Sequence, residues 1–464
     1  SLGSCLGRDS IVVRDSRSPS GWRFRSSYHA ANKAYRRAFL LLPSIHLSLR
    51  GSLYRSVRRL LMTGTNDLRQ GYATPPDTTT FAAMLAWLGD TLVAIPYPRS
   101  DVAAARAWTV PQTNGEALRR QRESFREIAT AWATDYPTSP DAQEALALSL
   151  ELLGDPACLD TLRRARRLAA DAPDRTRLAA AEVWLRLKFS TPSRLDGVRA
   201  ARALADSLLG TNAFPGAPEP ALLASLAALT GRGARASTLF AEPASRATQP
   251  PPASLSALGP SLLVYAALGG PVDTLRAMER RVLRALVADV SGPQRPLLQS
   301  SWLVRPAMLA FPSYRFAADS ASQHGQPPVA EAQAAFVRGD TTEVRRIFGR
   351  LRETRRAHRP GDITFDALFP EAWLLAAVGD RSGAAGWLDP TLEALATTAP
   401  QVFADPARAA SLVQAMALRA DLAERMGDST TARKWAAVVT VLWSDADGFL
   451  KPTVDRMARL AHLN

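Results

Sequence analysis

Arginine is the residue whose abundance and spacing first invite chemistry. Lys and Arg number 57 against 43 Asp and Glu, a formal net charge of +14, and only Lys33, Lys188, Lys434 and Lys451 are lysines. A planar guanidinium grips carboxylate or phosphate bidentately, so dense arginine can mark oxyanion recognition, although an Ala/Arg/Pro/Gly-weighted composition also follows from GC-rich coding. Three clusters occur: Arg163, Arg164, Arg166 and Arg167; then Arg280, Arg281 and Arg284; then the run from Arg345 through Arg359. The third is densest, and its members Arg345, Arg346, Arg350, Arg352, Arg355 and Arg356 form the candidate binding surface. Spread around every face of one expected helix, they fit a solvated helix better than a phosphate or acidic-peptide groove. The first and third clusters are expected on separate outer surfaces, with any DNA binding weak and non-specific.

Catalytic patterns are missing from the sequence. It contains no GxxxxGK[ST] phosphate loop, no HExxH and no GxSxG elbow. His29, His46, His324, His358 and His462 are scattered singly, none at ligand spacing with another His or Cys, so no metal and no cofactor is expected. Cys5 and Cys158 lie too far apart for a CxxC pair, and Cys158 reads as a small core residue. The tryptophans mostly fall at helical spacing with Leu, Val or Ala, which favours core packing over base or sugar stacking. The uncharged stretch Ala247–Val272 is broken by Pro250, Pro251, Pro252, Pro260 and Pro271. Only Leu262–Leu268 is continuously helix-friendly, short of the ~20 residues a membrane span needs. A binding protein is therefore expected rather than an enzyme, with a polyanion binder and an enzyme on helical hairpins as the alternatives.

The elements that must carry these residues are helices. The sequence is 47% hydrophobic but only 7% aromatic, and its apolar content is mainly Ala and Leu, which lose little freedom in a helix. Residues 1–27 show no apolar period and read as a flexible lead-in, followed by partial helices over 28–63. An insertion over 64–113 holds the one expected β-hairpin, near 81–97, around Gly89-Asp90. A helical array then fills 114–246, a Pro-rich linker 247–254, and a second array 255–464 ending in a capping helix. Helices are predicted, among others, at 156–171, 174–189, 272–290, 341–356, 364–378 and 403–426. The fold class is all-α, an α-α superhelix.

Self-similarity refines this expectation. Gly231 is followed by Ala236 and Phe240, Gly339-Asp340 by Val344 and Phe348, Gly379-Asp380 by Ala384 and Leu388, and Gly427-Asp428 by Ala432 and Ala436. With Ala31, Tyr35, Ala38 and Pro43, this pattern resembles the turn and second helix of tetratricopeptide (TPR) repeats, at lengthened intervals against about 34 residues for the family. No first helix is recognisable before Ala31, so the chain is expected to begin inside a repeat of something longer. Ser139–Phe189 and Arg433–Leu463 are similar to the TPR-bearing C-terminal regions of some bacterial membrane-anchored serine/threonine protein kinases. That resemblance implies a sensory or interaction region with a protein or peptide partner, and an extracytoplasmic location in place of the default cytoplasmic one. No Gly-rich loop, HRD or DFG run accompanies it.

Overall fold

A computed structural model describes residues 11–14, 22–25, isolated positions from 122 to 134, 137–170, 172–210, 220–245, 255–289, 304–313, 328–356, 363–398, 400, 403 and 405–462. Two compact units divide the chain, Ser1–Ser149 and Leu150–Asn464. In the first, Ile11–Arg14 (β1) pairs antiparallel with Trp22–Arg25 (β2), Ile11 opposite Arg25. This ribbon corrects the reading of residues 1–27 as a lead-in without elements. Three consecutive β-branched residues, Ile11, Val12 and Val13, favour a strand although they show no helical period. The hairpin expected near 81–97 lies outside the described residues, as does the linker 247–254.

Among the described residues sixteen α-helices make up nearly all the rest, and the class is all-α. They are α1 (Pro140–Leu152), α2 (Cys158–Leu168), α3 (Ala172–Ser190), α4 (Leu195–Gly210), α5 (Pro220–Leu229), α6 (Gly233–Ser245), α7 (Leu255–Ala267) and α8 (Val272–Asp289). There follow α9 (Arg305–Leu309), α10 (Pro328–Val337), α11 (Thr341–Arg356), α12 (Phe365–Ala377), α13 (Arg381–Glu393), α14 (Pro406–Arg425), α15 (Ser429–Leu442) and α16 (Lys451–Ala461). From Leu150 on, sequential helices pair: α2 with α3, α3 with α4, α5 with α6, α7 with α8, α10 with α11, α12 with α13, and α14 with α15. Helices α6 and α7, on either side of the Pro-rich linker, also pack together.

A repeated glycine makes the turn in five of these pairs, α5 with α6, α7 with α8, α10 with α11, α12 with α13 and α14 with α15, and between α1 and α2. Gly154, Gly231, Gly269, Gly339, Gly379 and Gly427 all have φ between +72° and +87°. At Gly339 the amide donates to Phe336 O and the next amide, of Asp340, to Ala335 O, which satisfies two carbonyls that the helix end leaves orphaned. The same two bonds recur at the other five. The residue after the glycine then starts the next helix: Asp340, Asp380 and Asp428 accept from the amides of Glu343, Gly383 and Thr431 at 2.9, 2.7 and 3.0 Å. A stop and a start thus occupy two residues. Glycine is further required at Gly231, where an added Cβ would lie 2.6 Å from Ala446 Cβ. The small and bulky positions that follow do face the core, with Ala236, Val344, Phe348, Ala384, Leu388, Ala432 and Ala436 buried.

Helix α14 departs from neighbour-on-neighbour stacking. Its residues are buried all round, including Ala409, Leu412, Val413, Met416, Ala420 and Leu422, so it has no free polar side. Beyond its sequence neighbours α13 and α15 it packs on α5, α7 and α12. Its many alanines allow that many close approaches, since small side chains bring helix axes together. Gln414 Nε2 donates to Leu268 O at 2.8 Å, satisfying a carbonyl at the end of α7. The chain's end is tied back in the same manner: Arg202 Nε of α4 donates to Leu442 O at 3.0 Å, and the Asp447 amide donates to Gly231 O at 3.0 Å. The expected capping helix, α16, lays buried Met457 and Leu460 against this end.

Candidate interaction surface

Helix α11 carries the arginines that the sequence singled out. Its apolar residues Val344, Ile347 and Phe348 are buried along one side, which leaves the arginines to the remaining faces. Three of them, Arg345, Arg352 and Arg355, reach neighbouring helices. Arg345 Nη2 donates to Val378 O, at the end of α12, at 3.0 Å. Arg355 donates to Glu371 Oε2 of α12, and the same oxygen accepts from Trp387 Nε1 of α13 at 2.9 Å. The Arg355 and Arg352 guanidiniums lie 5.7 and 6.0 Å from the centre of the Trp387 ring. Phe348 meets that ring edge-on at 5.6 Å. Burial pushes the Glu371 carboxyl above its usual range, and Arg355 offsets that only in part.

Exposure does not set the remaining members apart, since Arg345, Arg346, Arg350 and Arg352 are all exposed. Exposed Arg346 pairs with Glu343 one turn earlier, Nε to Oε2 at 2.6 Å, and this bond holds the Glu343 carboxyl below its usual value. Arg350 Nη2 lies 3.9 Å from Glu331 Oε2 of α10. Arg356 ends the helix and its side chain lies outside the described residues, as does Arg359. Of the candidates whose side chains are described, Arg345, Arg352 and Arg355 thus engage neighbouring helices, and Arg346 and Arg350 stand beside carboxylates.

Half of the first cluster, Arg163 and Arg166, gathers around a carboxylate on α3, while Arg164 and Arg167 are exposed. Glu182, only 1% exposed, accepts at Oε1 from Arg163 Nε at 3.0 Å and Arg186 Nη2 at 2.7 Å, and Arg166 Nη1 stands 2.9 Å from Oε2. Burial alone would raise its pKa, but the three guanidiniums outweigh that and hold it low. Two further buried networks join distant helices. Arg305 bridges Asp366 (Nε at 3.0 Å) and Asp405 (Nη2 at 2.9 Å), with Arg408 Nε 3.4 Å from the other Asp366 oxygen. Burial opposes the Asp366 charge, and Arg305 and Arg408 together restore it, leaving its pKa lowered. Lys188 Nζ reaches Glu151 Oε1 at 2.5 Å and Thr398 O at 2.6 Å.

The second cluster differs. Arg280, Arg281 and Arg284 are exposed on α8, and Arg276, one turn before Arg280, joins them on the same face. Sequence reasoning missed Arg276, although its spacing of four from Arg280 was the available signal. Among the described residues none of the four pairs with a carboxylate; the one bond is Arg284 Nε to Arg280 O, at 3.4 Å. On the opposite side Leu275, Val282 and Leu286 are buried against α7. Helix α7, LSALGPSLLVYAA, contains no charged residue to meet them.

Other reactive groups are packed away. Cys158 is fully buried, and burial, helped by the Glu151 charge, pushes its thiol up to about 12. Among the described residues no three His, Cys, Asp or Glu are grouped to hold a metal ion, and no helix is long and apolar enough to cross a membrane. Trp184 stacks on Phe403 at 4.8 Å, Trp373 meets Phe311 and Phe336 edge-on, and Trp435 and Trp443 are buried, in line with the core role expected of them. No protein-family model matches the chain, and a search of curated proteins finds no match.

Proposed function

We propose that this chain is a non-catalytic interaction scaffold, the sensory or regulatory part of a larger signalling protein, built from TPR-like helical hairpins. One observation carries the reading: the buried carboxylates of Glu151, Glu182, Asp366 and Glu371 are each taken up by a lysine or arginine from another helix. Ionisable groups so engaged fix the relative positions of hairpins, which is what a rigid recognition surface requires. A polyanion-binding reading draws on the +14 charge. Much of the arginine in α2 and α11 is offset locally, however, which weakens it.

The test is affinity capture with the intact parent protein from its own cells, followed by a salt titration of what is retained. A protein partner that survives moderate salt is the expected result. Nucleic acid released with a steep salt slope would overturn the proposal, because each phosphate contact returns a counterion.

A further inference from the structure

We infer that the exposed face of α8 is the docking site for an acidic helical segment of a partner protein, its carboxylates received by Arg276, Arg280, Arg281 and Arg284. The inference rests on the scaffold reading and adds the site and the chemistry of the partner. Four guanidiniums stand on one face of one helix, over about 12 Å of its axis at ~1.5 Å per residue. They are exposed and have no carboxylate partner among the described residues. The described acids of α8 do not neutralise them: among the described residues Asp273 and Glu279 make no ion pair, and Glu279 is turned to the buried side.

Charge complementarity and spacing select the occupant. The rise between Arg276, Arg280 and Arg284 is about 6 Å per step, the same as between carboxylates at i, i+4 and i+8 of a second helix laid alongside. Helix-on-helix packing is also how every other helix pair of this unit associates. Among the described side chains of α8 the exposed positions apart from the arginines are Asp273 and Ala277, so over that stretch the face offers no apolar stripe to a second copy of the chain. A nucleic acid fits it less well. The charge is one helix wide, the flanking α7 is uncharged, and α8 contains no aromatic residue on which a base could stack.

The experiment uses the full chain and a labelled alanine-based helical peptide with Glu at i, i+4 and i+8, beside its Gln counterpart, by fluorescence anisotropy at several salt concentrations. The Glu peptide should bind and the Gln peptide should not. The double variant Arg280→Glu, Arg284→Glu should bind about tenfold more weakly or worse, with an unchanged thermal midpoint. The same reversal on α11, Arg346→Glu with Arg350→Glu, should bind as the parent does. Equal binding by the α8 double variant overturns the inference, and so does failure of the Glu peptide to bind. Tighter binding of random duplex DNA, or of phosphatidylserine/phosphatidylcholine vesicles, through the same arginines also overturns it. Repeating the capture with the α8 double variant separates the two readings. Unchanged retention of the partner removes α8 as the site and leaves the scaffold, whereas a parent protein that retains no protein removes the scaffold itself.

Discussion

Helices α8 and α11 both close a helical hairpin, both are rich in arginine and both bury one apolar stripe, yet their guanidiniums have opposite fates. Around α11 the neighbouring helices supply Glu331, the Val378 carbonyl, Glu371 and the Trp387 ring, so arginine becomes part of the packing. Next to α8 stands α7, with no charged residue, and the arginines remain in water. Whether an arginine is available to a partner is therefore decided by the helix beside it. Its own helix can look the same in either case.

The widest gap between the two helices should come from removing Arg355. Arg355→Ala strands the Glu371 carboxylate, 5% exposed, and should cost about 3 kcal/mol in urea denaturation at neutral pH. Burial holds the Glu371 pKa above its unfolded value, so the folded state takes up the proton first. The deficit should then shrink as pH is lowered through that raised range, and a deficit independent of pH would break the account.

A smaller loss, about 2 kcal/mol at neutral pH, is expected for Asp366→Asn, which removes the charge shared by Arg305 and Arg408. The sign of its pH dependence is set by a lowered folded pKa. The stability Asp366 contributes is fully present above its unfolded pKa and is lost as pH falls through the folded one. The variant should accordingly have a flatter acid limb than the parent in a pH series of thermal midpoints, and an unaltered limb would count against the network.

Arg345→Ala should cost about 1 kcal/mol, because one hydrogen bond to the Val378 carbonyl goes while the group stays near solvent. Least of all, Arg280→Ala should change stability by no more than about 0.5 kcal/mol, as expected of an exposed side chain without partners. A loss near that of Arg355→Ala would mean that α8 is held as α11 is, and the contrast would disappear.

Local structure was legible because its causes are local. The Gly339-Asp340, Gly379-Asp380 and Gly427-Asp428 pairs mark both the end of one helix and the cap of the next, and the span 341–356 agrees with α11 residue for residue. What escaped was pairing across long separations. Nothing near Arg355 in the sequence announces Glu371 as its partner, and the density of charge in α11 argued for solvent. Helix α14 did carry a signal: Ala, Leu, Val and Met on all sides mean burial on all sides. Which helices bury it, α5 and α7 among them, depends on tertiary structure alone. The β1–β2 ribbon was missed because a search for helical period passes over Ile11-Val12-Val13.

The position of α14 has a consequence for the order in which the molecule can be completed. Helices α5 and α7 leave the ribosome about 140 residues or more before α14 does, which at roughly 5–20 residues per second is on the order of ten seconds. Throughout that interval the sides of α5 and α7 that will meet α14 have no permanent cover. A nascent chain of this protein thus passes through a stage with an open apolar seam, during which a chaperone or a temporary register among the earlier helices must shield it. Chains cut short before Pro406 would never close that seam, and should accumulate as aggregates or be degraded.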